Sequence, residues 1–222
     1  MNDTICALAT QPGGALGIIR ISGPQALEIL SHIFQGKGDV QSFPANTIHY
    51  GHIVPFLQEG LEDVTPRKVI DEVMLSIFRA PKSYTGEDSV EITCHGSRYI
   101  LNKVLELLIA NGCRMANPGE FTQRAYLNGK MDLSQAEAVA DLIASTNKAT
   151  HQLAMSQLKG HFSSDLARLR EQLLHLTSLL ELELDFSDHE DLEFADRSEL
   201  FQLTQQIGSH IVCLADSFQT GN

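Results

Sequence analysis

The chain has 222 residues, of which 43 % are hydrophobic and 20 % charged, a composition that excludes a disordered acidic chain and predicts folded domains. It carries 28 acidic against 16 basic residues, and the net charge of −12 argues against tight, sequence-independent binding to a phosphate backbone. Four dispersed cysteines without a CxxC pair, and apolar runs far shorter than the roughly 20 residues of a membrane span, predict a soluble, reduced, cytoplasmic protein.

The first half of the chain is predicted to consist mainly of short strands, with two helices between them. Runs rich in β-branched residues, bounded by glycine, proline or polar residues, predict strands at 4–9, 17–22, 47–55, 69–78 and 89–95. One helix is predicted to start with Ser22 as N-cap and Pro24 in its first turn, and to run to about Phe34. A second is predicted from Ser97 to about Ala110. These elements predict an α+β or α/β domain.

From residue 119 onward the pattern becomes helical, without any further proline. Shorter helices are predicted at 120–127, 134–144 and 198–217. Apolar residues recur every three or four positions from Leu166 to Leu184, which predicts an amphipathic helix of about 35 residues if it starts near Asn147. We therefore expect a complete domain at 1–118 and an incomplete all-α domain at 119–222. Of the net charge, −9 falls in the second part.

A glycine-rich segment at 11–17 precedes the strand that carries Arg20. It leads into a strand, whereas dinucleotide and Walker loops lead into a helix, so we interpret it as a strand connection or as a loop that lets a ligand approach the backbone. Arg20 alternates with Ile19 and Ile21 and therefore projects from one sheet face. Spacing alone leaves open a ligand contact or an exposed arginine.

Glu91 lies inside a predicted strand, between Val90 and Ile92, which face the other way. A carboxylate in this position can accept two parallel N–H donors from a heterocycle such as a pterin or guanine edge. A solvated glutamate on the sheet surface is the equal alternative. Cys94 and His95 are neighbours in the same strand and face opposite ways, which argues against a nucleophile and base pair.

Polar residues are dense between residues 118 and 138, and helix capping accounts for most of them. Pro118 starts a helix, Asn128 and Gly129 end it, and Ser134 with Glu137 is predicted to form the capping box of the next helix. Lys130 remains unexplained. It lies just past a helix end, where it can complement the helix dipole or reach a ligand carboxylate.

An acidic run at 181–199 holds nine carboxylates and Arg197 as its cation. It lacks the glycine and the spacing of a calcium loop. We interpret it as a solvated bend, which could also meet a basic partner.

Four segments together resemble the N-terminal part of the tRNA modification GTPase family called MnmE or TrmE. They are GIIRISG at 17–23, SYTGEDSVEITCHG at 83–96, PGEFT at 118–122, and LNGKMDL at 127–133 with its continuation to 143. The resemblance implies an N-terminal mixed-sheet domain that binds folate, dimerises and is similar to folate-dependent aminomethyltransferases. A helical domain, into which a Ras-like GTPase domain is inserted, would follow.

The resemblance also implies ligands and partners. By matching position, Arg20, Glu91 and Lys130 would contact 5-formyl- or 5,10-methylene-tetrahydrofolate. We expect Glu91 to accept the paired donors of the pterin, and Arg20 and Lys130 to suit the glutamate tail. With a flavin-dependent partner of the MnmG or GidA type, such proteins convert the wobble uridine of tRNA to an aminomethyl or 5-carboxymethylaminomethyl derivative.

Other family features are missing from this sequence. It contains no Walker loop, no Asn-Lys-x-Asp and no Cys-x-Gly-Lys, so we expect no GTP hydrolysis by this chain and assign GTP, Mg²⁺ and K⁺ to a GTPase domain beyond its end. Ser187 and His189 interrupt a bend that usually reads Asp-Phe-Pro-Asp-Glu-Glu. Two alternatives stay open, namely a non-catalytic dimerisation module and a folate-dependent aminomethyltransferase. From its net charge, we expect this chain to bind tRNA only weakly at physiological salt.

Overall fold

The computed structural model describes residues 3–55, 68–185 and 197–219. The chain divides into two compact units, Met1–Met131 and Asp132–Asn222. The sequence, by comparison, predicts the boundary between the domains after residue 118. The two boundaries differ because α3 (Glu120–Leu127) and the turn after it belong to the first unit. The architecture is α+β, as the sequence predicts.

The first unit is built on a mixed sheet, which has seven strands within the described residues. The strands are β1 (Ile5–Leu8), β2 (Leu16–Ser22), β3 (Phe34–Gly36), β4 (Thr47–Ile53), β5 (Asp71–Phe78), β6 (Ser89–His95) and β7 (Arg114–Met115). Their order across the sheet is β3-β4-β5-β6-β2-β1-β7, and β1 with β7 is the parallel pair among antiparallel neighbours. Both edge strands are very short, which leaves few unpaired backbone groups at the edges.

The two faces of this sheet differ because side chains alternate along each strand. Leu75, Ile92 and Ile19 pair directly across three strands and are fully buried. They belong to the core, to which α1 (Ala26–Ile33) and α2 (Arg98–Ala110) contribute their apolar sides. The other face presents partly exposed side chains, and Arg20 and Glu91 lie on it.

The five predicted strands are confirmed, with shorter bounds at some ends. The structure adds β3, β7 and a 3₁₀ turn at Val40–Ser42, which are too short to show a periodic pattern. The predicted start of the first helix is wrong, because Gln25 is the N-cap of α1. Ser22 instead ends β2, where its hydroxyl is bonded to Thr85 and Glu87. The second helix lies where the sequence predicts it.

The second unit contains helices in all its described parts. They are α4 (Leu133–Ala144), α5 (Lys148–Leu158), α6 (His161–Asp185) and α7 (Arg197–Gln219). The capping box predicted from Ser134 and Glu137 is wrong. Helix α4 begins earlier, so Asp132 caps the backbone of Gln135 while the Gln135 side chain accepts from the Asp132 N–H.

The single long helix predicted from Asn147 is also wrong. It is two helices, because α5 ends at a cap on Lys159 and Gly160 follows with a φ of +76°. Residues with a side chain rarely adopt this left-handed backbone conformation, whereas glycine adopts it without strain. Helix α6 starts at the next residue.

Most of the acidic run at 181–199 lies outside the described residues. Among the helices that the structure does describe, none is both long enough and apolar enough to cross a membrane.

We predict that Gly96→Ala destabilises the first unit. The Cβ of an alanine would overlap the carbonyl oxygen of Gly14 and approach the Leu16 carbonyl oxygen to 3.0 Å, and backbone atoms cannot rotate away. The free energy of unfolding in urea should fall by about 1–3 kcal/mol. The matched control is Gly14→Ala on the other side of the same contact, where the Cβ meets the Leu16 oxygen at an ordinary 3.5 Å. Its effect should stay below about 1 kcal/mol, and equal losses would contradict the prediction.

Candidate ligand-binding site

Arg20 and Glu91, two of the three residues chosen from the sequence, form a direct pair. Arg20 on β2 lies opposite Glu91 on β6 in the antiparallel register. The Nε and Nη2 atoms of Arg20 donate to Glu91 Oε1 at 2.9 and 2.6 Å. The side chains are 33 % and 25 % exposed, so a ligand can reach them. Within the part of the chain that the structure describes, Glu91 Oε2 accepts no hydrogen bond and is open to a donor.

Two aromatic rings lie close to the guanidinium of Arg20. Its Cζ atom lies 5.6 Å from the ring centre of Tyr84 and 5.7 Å from that of Phe121, within the range of a cation–π contact. Tyr84 belongs to the loop at 79–88 between β5 and β6, and its hydroxyl lies 2.9 Å from Thr122 Oγ1 on α3. We call Arg20, Glu91, Tyr84 and Phe121 the Arg20 cluster.

Lys130, the third residue chosen from the sequence, lies on the turn after α3. Its Nζ donates to the carbonyl oxygen of Pro81 at 2.8 Å, and its side chain remains exposed. Asn128 on the same turn donates to the Thr85 carbonyl oxygen at 2.7 Å. Both bonds attach the turn to the loop that carries Tyr84. The structure therefore connects Lys130 to the loop of the Arg20 cluster and does not pair it with Arg20 or Glu91.

A buried ion network that the sequence did not reveal supports these segments. Its members, which we call the Arg124 network, are Asp3, Glu87, Arg114, Glu120 and Arg124. Arg124 is 1 % exposed and donates to Asp3 Oδ1 at 2.8 Å, to Glu120 Oε1 at 3.0 Å and to both Glu87 carboxylate oxygens at 3.2 Å. The spacing of Glu120 and Arg124 by four residues on one helix was the available sequence signal.

The network shifts the ionisation of its carboxylates. Hydrogen bonds from Arg114, at 2.6 and 3.0 Å, lower the pKa of Glu120 to about 2, and the Asn117 N–H and Arg124 add to the effect. Hydrogen bonding to Arg114 also lowers the pKa of Asp3. Glu120 is thus held as a buried anion at neutral pH, where only paired charges are tolerated.

Cys94 and His95 face opposite ways, as the sequence predicts. Cys94 is buried with its Sγ 3.6 Å from the Gly17 carbonyl oxygen, and burial raises the pKa of its thiol to about 11. His95 is exposed, and its Nδ1 lies 2.7 Å from Asp71 Oδ1. The two cannot act as nucleophile and base. No group of three or more His, Cys, Asp or Glu residues among the described positions is arranged to hold a metal ion.

Two family models match the chain in succession. Residues 4–130 match the model described as "GTP-binding protein TrmE N-terminus", and residues 133–222 match the "MnmE helical domain". The boundary between the two matches coincides with the boundary between the two compact units.

Several curated proteins are similar to this chain over almost its whole length. Proteins named "tRNA modification GTPase MnmE" are 59 % identical in Bacteroides thetaiotaomicron, 56 % in Phocaeicola vulgatus and 53 % in Christiangramia forsetii. The alignments cover 99 %, 99 % and 100 % of this chain but 46 %, 49 % and 45 % of those proteins. The chain spans about half the length of the curated relatives it matches.

We predict that Glu120→Gln reduces the acid sensitivity of the fold. The pKa of Glu120 is about 2 in the folded chain against an ordinary value of 4.5, so the stability it contributes is present above pH 4.5 and is lost as the pH falls towards 2. That contribution amounts to at most about 3 kcal/mol. In urea unfolding between pH 5 and pH 2.5, the variant should therefore show a shallower loss of unfolding free energy than the wild type.

The control is Glu106→Gln, which removes an exposed carboxylate paired with Lys103 on α2. It should keep the wild-type pH dependence. A Glu120→Gln curve that runs parallel to the wild type would contradict the assignment of this pKa.

Proposed function

Since the chain belongs to the MnmE or TrmE family of tRNA modification GTPases, we propose that its first unit binds a reduced folate at the Arg20 cluster. The observation that supports this most is the partly exposed Arg20–Glu91 pair, whose guanidinium lies close to two aromatic rings. A pterin is flat and offers neighbouring N–H donors along one edge. The rings of Tyr84 and Phe121 can contact its faces, and Glu91 Oε2 can accept from its edge.

The pairing of Arg20 with Glu91 changes how we divide the folate among the three residues. From the sequence, Arg20 and Lys130 were both expected at the glutamate tail. Because both Nε and Nη2 of Arg20 donate to Glu91, we now assign Arg20 and Glu91 to the pterin end. The exposed ammonium of Lys130 is then the cation for the tail carboxylates.

We propose further that the first unit dimerises through the open face of its sheet. Ile48 and Tyr50 on β4 are 67 % and 60 % exposed, and Tyr50 lies directly beside the exposed Met74 on β5. Exposed apolar side chains that adjoin one another mark interaction surfaces. Ile48 stands in one row across the sheet with Ser76, Glu91 and Arg20, so the apolar patch continues into the proposed folate site.

The activity proposed for the parent protein follows from the family. We propose that it modifies the wobble uridine of tRNA to an aminomethyl or 5-carboxymethylaminomethyl form, together with a flavin-dependent partner of the MnmG type. Either 5-formyl- or 5,10-methylene-tetrahydrofolate would supply the one-carbon unit. The present sequence has no Walker loop, so GTP hydrolysis with Mg²⁺ and K⁺ would require a further domain.

We predict that 5-formyltetrahydrofolate binds the chain and that the three site residues affect different parts of it. In calorimetric titrations, Glu91→Gln and Arg20→Gln should each weaken binding by about 10- to 100-fold, as expected for a lost charged hydrogen bond. Lys130→Ala should weaken folate binding by about 1.5- to 5-fold, as expected for an exposed charge contact. With tetrahydropterin, which lacks the glutamate tail, Lys130→Ala should have no effect.

Glu72→Gln is the matched control, because it removes an exposed glutamate from the neighbouring strand β5. It should bind folate as the wild type does. No binding by the wild type, or unchanged affinity in all three site variants, would refute the folate proposal. A dimer that does not bind folate would support the alternative of a pure assembly module.

We predict that Tyr50→Asp weakens self-association of the chain. A charge in the middle of a dry interface should raise the dimer dissociation constant at least about tenfold in sedimentation equilibrium. Tyr99→Asp on α2, where the tyrosine is also exposed, is the control and should leave it unchanged. A wild-type chain that stays monomeric at 100 μM, about a hundredfold above a typical micromolar dissociation constant, would refute the dimer proposal.

A further inference from the structure

The Arg124 network connects three separate segments of the first unit through one side chain. Arg124 lies on α3, Glu87 lies in the loop at 79–88, and Asp3 precedes β1. Arg124 donates to the side chains of both acids and also, from Nη1, to the backbone oxygen of Asp3 at 2.9 Å. The guanidinium therefore acts as a single cross-link between α3, the loop and the beginning of the chain.

Two of these segments carry the rings of the Arg20 cluster. Phe121 follows Glu120, which Arg124 holds at 3.0 Å, and Tyr84 is three residues before Glu87 in the same loop. Within that loop, Ser83 donates to the Glu87 carbonyl oxygen at 2.5 Å, and Glu87 Oε2 accepts from Ser22 at 2.8 Å. Displacement of Glu87 away from α3 would thus move Tyr84 relative to Phe121.

Arg114 provides a comparison inside the same network. It donates to Asp3 at 2.7 Å and to Glu120 at 2.6 Å, as Arg124 does, but it makes no bond to Glu87. Its side chain is also half-exposed, whereas that of Arg124 is buried. Arg124 is therefore the member that joins the Tyr84 loop to the Phe121 helix.

We infer that Arg124 is a positioning residue for the proposed folate site. Together with the hydrogen bond between Tyr84 and Thr122, it holds Tyr84 and Phe121 in place beside the Arg20 guanidinium, and it does not touch the ligand. This inference rests on the proposed function as far as the ligand is concerned. The arrangement of the rings around Arg20 is a property of the unliganded chain and can be measured without a ligand.

The test compares Arg124→Lys with Arg114→Lys in the 222-residue chain. Both substitutions keep a positive charge among the carboxylates, so both variants should fold, and both lose the planar fork that holds two or three acids at once. The first readout is the Arg20 Nε–H signal in NMR spectra of arginine-labelled protein, because its chemical shift depends on the positions of the nearby Tyr84 and Phe121 rings and of Glu91. The second is the affinity for 5-formyltetrahydrofolate. Both are recorded at a temperature where circular dichroism shows each variant folded.

We expect Arg124→Lys to move the Arg20 signal towards the value of a free arginine and to weaken folate binding about tenfold or more, because the site is no longer preorganised. Arg114→Lys should leave the signal in place and the affinity within about twofold, because an ion pair with a solvent-exposed partner contributes little free energy. A lower thermal stability of Arg114→Lys would not affect this result, because both readouts are taken on the folded protein.

Two results would overturn the inference. One is a folded Arg124→Lys variant with an unchanged Arg20 signal. The other is Arg114→Lys with the same losses as Arg124→Lys, because the effect would then be one of general stability. Failure of the wild type to bind folate would refute the proposed function instead, and the NMR comparison would still decide the role of Arg124.

Discussion

A guanidinium that is withdrawn from water has to be neutralised where it lies, and this constraint determines how the first unit is assembled. Arg124 is buried, and three carboxylates from three segments supply its counter-charges. Breaking one partner of a buried pair costs several kcal/mol, since the remaining charge stays in a medium of low dielectric constant. The loop at 79–88, α3 and the residues before β1 are therefore held in one arrangement.

The sheet places the candidate site beside this support. Its strands bury one set of alternating side chains against the helices, so every second residue is left on the open face. Arg20 and Glu91 meet there because β2 and β6 pair in one register, and a slip of either strand by one residue would move its own member of the pair into the core. The α3 helix and the loop then add Phe121 and Tyr84. The candidate site thus combines two residues on paired strands with two rings on segments that hydrogen-bond to Arg124.

A feature could be predicted from the sequence when the residues that determine it lie close together in the chain. The five longer strands and α2 are set by local periodicity and were predicted correctly, whereas β3 and β7 are too short to show one. The break at Gly160 was missed because the apolar repeat continues on both sides of it, so the left-handed glycine gave no periodic signal. The capping box was assigned two residues too late because Asp132 and Ser134 are both good N-cap residues, and spacing does not choose between them.

The site itself was only partly visible in the sequence. Arg20 and Glu91 could each be selected from strand alternation, but they are 71 residues apart, and their pairing depends on the register of two distant strands. Arg124 bonds to Asp3 across 121 residues, and no local pattern reports such a contact. Arg20 and Glu91 lie on regular strands and leave an alternating pattern, whereas the long-range bonds of Arg124 to Asp3 and Glu87 leave none.

The use of arginine in this unit bears on the kind of ligand it can take. Arg20, Arg79, Arg114 and Arg124 are all engaged with carboxylates of the same chain. Binding to an RNA backbone draws on cations that are free to replace condensed counterions, and arginines committed to internal pairs do not serve this purpose. The groups that remain open at the site are a carboxylate oxygen, two ring faces and the exposed Lys130. They suit a small, flat ligand with an anionic tail better than a phosphate backbone.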